Sequence, residues 1–419
     1  GPISHGVPGA HWYCSSPGRA DHGAARTARP RGCGVMGGGV AVVVAMRFRS
    51  VAVDLLAVSP LFMDTGTGLS VAPLGRTLRG SSFAFDPFAA YRDGLINGPN
   101  VAILGRIGYG KSASVKMIIR RSFDQRCGVV VLDPKGEYAE LARTLDGEVV
   151  SFGSDGWLRI DTGSVRQDVD NIVALLESAR GSALSDLDRM KLEAHWKDSD
   201  AGATPRPLLT LLQRCSEARD DELVATLSRF VDGDLGGLAD GPEEHHLTLR
   251  RVTVIDLQKW WGTPAMPVVM HLAWTAAQRV AERSMTRRYV ILDEAWALLD
   301  NPFALHRVRG SFKLARANGV SHFVVLHRLA DLDSLGDTGS RTFAAAKSLV
   351  RDCDTHVIFN SAPGDVAAMQ YELGLTDREV EYVGGIGRGE ALVRFGPHRS
   401  VVRFEPTDLD AIDTDQAMR

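Results

Sequence analysis

Eight residues, Gly105-Arg-Ile-Gly-Tyr-Gly110-Lys111-Ser112, set three glycines, a lysine and a hydroxyl side by side. The spacing G-x-x-x-x-G-K-[ST] is met without departure. Such a loop holds a polyphosphate. Gly105, Gly108 and Gly110 let the backbone come close, because a Cβ there would collide with the anion. Lys111 reaches the β- and γ-phosphates, and the Ser112 hydroxyl takes one Mg²⁺ position. ATP and Mg²⁺ are the expected ligands. Ala113 opens a helix predicted over Ala113–Arg121, whose first free N–H groups face the phosphates.

A second group of residues complements the first. Tyr289-Val-Ile-Leu runs straight into Asp293-Glu294. Two acids at the tip of an apolar strand form a Walker B arrangement. Asp293 is expected to hold Mg²⁺, since hard cations take carboxylate oxygens. Glu294 is expected to polarise the water that attacks the γ-phosphate. His327 ends the strand that follows, where ATPases with an extra strand between the two motifs keep a γ-phosphate sensor. A ring ATPase also borrows an arginine from its neighbour. Arg351, Arg388 and Arg394 are the candidates, and Arg388, in the glycine-rich Gly384–Gly389 loop, is favoured. Asp133, Lys135 and Glu137 follow another apolar run; they either serve the nucleotide edge or cap and pair locally. Trp260, Trp261 and Trp296 are read as packing residues, not as base-stacking ones.

The elements that must position these groups are legible from periodicity. Val101–Leu104 reads as the strand feeding the loop. Gly128–Asp133 is a continuous apolar run ended by a carboxylate, as in a strand buried on both faces. A helix from Ala139 to about Leu145 follows, and strand–helix–strand order implies parallel pairing. In such sheets ligands lie beyond the C-terminal strand ends. From Ser164 to about Leu235 the period becomes helical, with helices over Val169–Arg180, Ser185–Trp196, Pro207–Ala218 and Asp221–Asp232. Strands then return at Arg251–Leu257, Tyr289–Leu292, Ser321–Leu326 and Thr355–Asn360. A long helix over Pro264–Arg283 and another over Phe303–Asn318 separate the first of them. Glu372 to Val383 reads as a short helical pair. Ala391–Phe395 and Val401–Phe404 form a closing hairpin. Before the core, Arg47–Ala57, Leu69–Pro73 and Ser82–Pro87 carry short β patterns, read as an antiparallel flap.

Composition narrows the classes. At 419 residues, 44% hydrophobic and 24% charged, the chain reads as globular with two or three domains. A net charge of −3 gives no global basic footprint for nucleic acid. The five cysteines show no C-x-x-C spacing, so neither a zinc site nor a disulfide framework is implied and a cytoplasmic setting fits. No apolar run reaches the roughly 18 residues of a membrane span. Residues 1–45, rich in Gly, Ala, Arg and Pro, read as a disordered or expression-derived tail.

Gly105–Ser112, Asp133-Pro-Lys-Gly-Glu-Tyr138, Leu292-Asp-Glu-Ala-Trp296 and Gly387–Val393 resemble the conjugative-transfer ATPases that energise type IV secretion, within the HerA/FtsK group of pumping motors. Phe83-Ala-Phe-Asp-Pro87 and His327-Arg-Leu-Ala-Asp331 are similar to the actinobacterial branch. The resemblance spans roughly Phe83 to Phe404. It implies a RecA-like α/β motor with a mostly parallel central sheet, an all-α insertion and small β additions at both ends. The implied divisions are a β-rich flap over 46–95, the ATPase domain over 96–163 and 247–405, the insertion over 164–246 and a tail over 406–419. It also implies a homo-hexamer, partners in a conjugation or secretion complex, DNA as a further partner, and a place at the inner face of the membrane. Two departures stand out. His327 occupies a position where relatives often carry Gln, and Asn360-Ser361 stands where they often carry Arg-Gln. Two rival functions are a DNA-pumping translocase and a nucleotide-binding scaffold with little turnover.

Overall fold

The computed structural model describes residues 69, 71–123, 127–151, 165–198, 207–236, 238, 250–283, 286–299, 301–329, 341–407 and 410. All of them belong to a compact unit spanning Ser50–Arg419. The expected 1–45 tail, the β pattern at Arg47–Ala57 and most of the 406–419 tail lie outside the described residues.

Strand β1 (Pro73–Thr77) starts where the pattern at Leu69–Pro73 was expected to end. Its place is set by a distant partner: Gly75 pairs with Phe404, and a Cβ on Gly75 would lie 2.0 Å from the Arg403 carbonyl oxygen. β2 (Ser82–Ala84) is cut short by a helix that the sequence pattern did not reveal, α1 (Pro87–Arg92). Asp86 caps it, its carboxylate accepting the Ala89 N–H at 2.6 Å, and Pro87 suits the first turn.

β3 (Val101–Leu104) delivers the chain to the glycine loop, and α2 (Lys111–Phe123) follows, longer at both ends than expected. Next come β4 (Gly128–Asp133), α3 (Ala139–Thr144) and β5 (Glu148–Ser151). The helical stretch forms α4 (Val165–Arg180), α5 (Asp186–Asp198), α6 (Pro207–Glu217) and α7 (Asp221–Val231). β6 (Val252–Asp256), α8 (Met266–Arg283) and β7 (Arg288–Leu292) resume the alternation. The single turn α9 (Trp296–Leu299) leads to α10 (Pro302–Asn318), which Gly319 ends at φ 63°. β8 (Val320–Leu326), α11 (Arg341–Arg351), β9 (Thr355–Phe359), α12 (Pro363–Leu373) and α13 (Asp377–Gly385) follow. β10 (Glu390–Phe395) and β11 (His398–Phe404) close the chain as the expected antiparallel hairpin.

Among the described residues the eleven strands share one sheet, ordered β2-β1-β11-β10-β9-β3-β8-β7-β4-β6-β5. From β9 to β5 the pairings are parallel, and from β9 to β2 they are antiparallel. The N-terminal strands therefore extend the main sheet through β11 and do not form a separate flap.

Alternate residues of each central strand feed two cores. Val101, Ile103, Val129, Val131 and Ile291 face α2, α3 and α1. Ala102, Leu104, Val130, Leu132 and Leu292 face the other layer, which holds α8, α10 and the α4–α7 helices. The α4–α7 helices thus share one core with the central strands. Arg307 on α10 fastens the two, donating to the Asn171 side chain at 2.8 Å and the Asp170 carbonyl at 2.7 Å. β8 lies between β3 and β7, which brings the C-terminal tips of the three strands together.

Candidate functional site

The glycine loop leaves β3 with Gly105, Gly108 and Gly110 at φ 139°, 81° and 111°, angles that side chains disfavour. Close packing adds to the constraint. A Cβ on Gly105 would lie 2.5 Å from the Phe359 Cβ. On Gly110 it would touch the Phe359 ring and Gly389 Cα, both at 3.4 Å. Arg106 N–H donates to the Asn360 carbonyl at 2.9 Å, and Gly389 N–H to the Tyr109 carbonyl at 2.9 Å. The loop is therefore held from β9 and from the start of β10.

Lys111 is buried and curls into the loop. Its ammonium donates to the Gly105 carbonyl at 2.5 Å and the Arg106 carbonyl at 3.0 Å. Burial lowers its proton affinity to about 8, against the opposing pull of Asp293 and Glu294. Ser112 and Ala113, in the first turn of α2, are half-buried. The cradle fits a polyphosphate.

Asp293 and Glu294 stand at the tip of β7, both buried. Asp293 accepts from the Tyr138 hydroxyl at 2.9 Å and from the Glu294 N–H at 2.9 Å. Burial, then the neighbouring carboxylates of Glu294 and Glu137, raise Asp293 to about 7. A buried acid raised in this way suits a divalent cation. Among the described residues no cluster of three or more His, Cys, Asp or Glu could hold a metal. The Ser112 hydroxyl and the Asp293 carboxylate are the oxygens that could hold Mg²⁺, with nucleotide and water completing its shell.

Glu294 has φ 51°, in the left-handed region. One carboxylate oxygen, Oε1, meets Lys135 Nζ at 2.5 Å and His327 Nε2 at 2.5 Å. The other, Oε2, accepts from Trp296 Nε1 at 2.7 Å. Burial opposes its ionisation, but the His327 and Lys135 hydrogen bonds prevail and hold it at about 2. Glu294 is therefore a carboxylate at neutral pH.

The motif Asp133-Pro-Lys-Gly-Glu-Tyr138 contributes both to local pairing and to the site. Asp133 accepts the N–H groups of Glu137 at 3.0 Å and Tyr138 at 2.8 Å, which folds the turn. Gly136 turns it at φ 74°. The turn delivers Lys135 to Glu294 and Tyr138 to Asp293. Periodicity alone did not single out Tyr138; its signal was a lone aromatic hydroxyl at the end of a buried run. Tyr138→Phe is expected to leave Asp293 short of a buried donor and to cost about 1–3 kcal/mol of stability. Urea unfolding with an unchanged m-value and an unchanged midpoint would reject this pairing.

His327, the expected sensor, reaches the site through Glu294 and also lies 3.4 Å from Lys135 Nζ. Trp296 packs as expected and also holds Glu294. Trp261 packs edge-on against Trp296 at 5.7 Å, with the Lys135 ammonium 5.5 Å from its ring. Asn360 donates to the Gly384 and Ile386 carbonyls at 3.1 and 3.0 Å, tying the loop after α13 to the P-loop. Of the arginine candidates, Arg394 is buried and donates to the Leu373 carbonyl at 2.9 Å. Arg351 pairs with Glu372 at 3.6 Å. Arg388 is exposed, and its neighbour Gly389 leans on the P-loop of its own chain.

The family model described as the central domain of the helicase HerA matches residues 98–212. No curated protein matches the sequence. Among solved structures, VirB4 of Thermoanaerobacter pseudethanolicus superposes with a TM-score of 0.71 at 20% identity, over 81% of this chain and 98% of that one. The unbound bacterial conjugative coupling protein TrwB gives 0.53 at 14% identity, over 81% and 96%. TrwB in complex with ADP and Mg²⁺ gives 0.54 at 14% identity, over 81% and 90%. No helix among the described residues is long and apolar enough to cross a membrane. The chain shares its α/β fold, with a mostly parallel central sheet, with VirB4 and the conjugative coupling protein TrwB, and over residues 98–212 it resembles the HerA central domain.

Proposed function

We propose that the chain is an ATP-hydrolysing motor that couples Mg²⁺-ATP turnover to moving a macromolecule in conjugative transfer or type IV secretion. The observation that carries this reading is the placement of the Lys111 loop and of Asp293 and Glu294 at the C-terminal tips of β3 and β7, on either side of β8, in a fold shared with VirB4. The loop N–H groups and Lys111 bind the phosphates, with Lys111 exchanging the Gly105 and Arg106 carbonyls for phosphate oxygens. Ser112 and Asp293 would hold Mg²⁺, whose charge would offset that of the phosphates. Glu294 takes the proton of the water that attacks the γ-phosphorus, while the bond to the ADP oxygen breaks. His327 holds Glu294 in place and adds a polar contact near the γ-phosphate. Arg388, whose neighbour Gly389 bonds the P-loop, is the arginine we would assign to a neighbouring subunit's nucleotide.

We infer a homo-hexamer that works with conjugation or secretion proteins at the inner face of the membrane. A DNA-pumping reading is favoured by the HerA match over residues 98–212. Steady-state hydrolysis with and without single-stranded and duplex DNA, alongside light scattering for mass, tests both. DNA-stimulated, salt-sensitive turnover in a hexamer identifies a DNA motor. DNA-indifferent turnover identifies a secretion engine. ATP binding without turnover under any condition sinks the motor and leaves a scaffold.

One pH effect follows from burial of Lys111. Free Lys111 loses its proton as pH rises through about 8, and only the ammonium binds phosphate. ATP affinity is therefore expected to weaken from pH 7 to pH 9, by up to about tenfold per unit above the transition. Calorimetric titration that finds equal affinity at both ends removes Lys111 from phosphate binding.

A further inference from the structure

We propose that Lys135 is a latch on the catalytic glutamate, one that the γ-phosphate of ATP draws off and ADP leaves closed. This rests on the ATPase reading above and concerns how its base is switched on. Glu294 already accepts at both oxygens, from Lys135 and His327 at Oε1 and from Trp296 at Oε2. Its side chain is 3% exposed. Oε1, taken by two donors, has no place for an attacking water until one of them leaves.

Lys135 is the donor free to leave. Its side chain is 28% exposed, against 18% for the His327 ring, and carries its charge on a flexible four-carbon stem. The backbone beneath it is fixed by the Asp133 turn, so only the side chain need move. The exposed face of the latch is lined by Trp261, itself 37% exposed, over whose ring the ammonium can rest.

The destination is also marked. Lys135 lies 3.4 Å from His327 at the tip of β8, the strand paired with the β3 that delivers the loop and Lys111, so both ammonium groups lie beyond the same C-terminal strand ends. Two cations converging there call for a polyanion between them. A γ-phosphate gives Lys135 a more highly charged partner than Glu294; ADP has no group at that position. Transfer of the ammonium from Glu294 to the γ-phosphate would free Oε1 for water only when a hydrolysable phosphate is present.

The test uses the full chain with Mg²⁺ and either the imido analogue of ATP or ADP. It reads tryptophan emission and calorimetric affinity. Withdrawal of Lys135 from Trp261 is expected to shift the emission with the analogue and not with ADP. Trp261→Phe should remove most of that shift. Lys135→Met should abolish it and reduce the preference for the analogue over ADP by at least about tenfold, the loss of one charge-assisted contact. Lys135→Arg, which keeps the cation, should restore part of both. An equal shift with ADP in the wild type overturns the latch without need of any variant. Retention of shift and preference in Lys135→Met overturns it as well. If wild type binds both nucleotides without discriminating, the latch fails and the ATPase reading stands; if it binds neither, both fail.

Discussion

Glu294→Gln is expected to bind ATP as well as the wild type and to hydrolyse it about 10²–10⁴-fold more slowly, the usual contribution of a general base. Glu294 is the ionised partner of the Walker B pair, held at about 2, whereas Asp293 is raised to about 7. The two carboxylates are thereby assigned different tasks. In the proposed reading the ionised Glu294 takes a proton from water and Asp293 takes the cation. Glutamine keeps the shape and an acceptor for Lys135 or Trp296 but removes the charge, so the fold should persist. Single-turnover hydrolysis with nucleotide binding measured on the same sample checks both halves. Normal hydrolysis in this variant would move the base elsewhere.

Lys111→Ala should act earlier, on binding. Its ammonium is a buried cation whose hydrogen bonds all go to the loop carbonyls of Gly105 and Arg106. In the proposed reading those carbonyls give way to phosphate oxygens when ATP binds. Loss of one charged hydrogen bond costs about 1.5–3 kcal/mol, hence roughly 10- to 100-fold in ATP affinity. Any turnover that survives at saturation should fall by a further ~10²–10³, because the charge developing on the γ-phosphate loses its nearest cation. Stability should not suffer in proportion, since a desolvated charge is removed with the side chain. Calorimetry and thermal melting separate the two effects. Unchanged affinity and turnover would reject the P-loop assignment.

Much of this molecule follows from local pattern. The P-loop is defined by glycine spacing within eight residues, and its φ angles are those only glycine adopts without strain. Continuous apolar runs ending in acids mark β4 and β7, because a strand covered on both faces has no polar position until its tip. The change to a helical period marks α4–α7 for the same reason in reverse: each helix buries one stripe. The parallel sheet follows from the alternation of strands and helices.

What only the tertiary structure decided depends on contacts across large sequence separations. The insertion of β8 between β3 and β7 places His327 beside Glu294, 33 residues away, and Lys135 beside both. Tyr138 reaches Asp293 across 155 residues. Nothing in the period or composition around either residue records that meeting, because it depends on strand order. The N-terminal strands read as a separate flap for the same reason. β1 carries a short β pattern, but its partner β11 lies at the far end of the chain, and pairing partners are not written into a strand's own alternation. The sequence determined which residues could do phosphate chemistry; the order of the strands decided which of them touch.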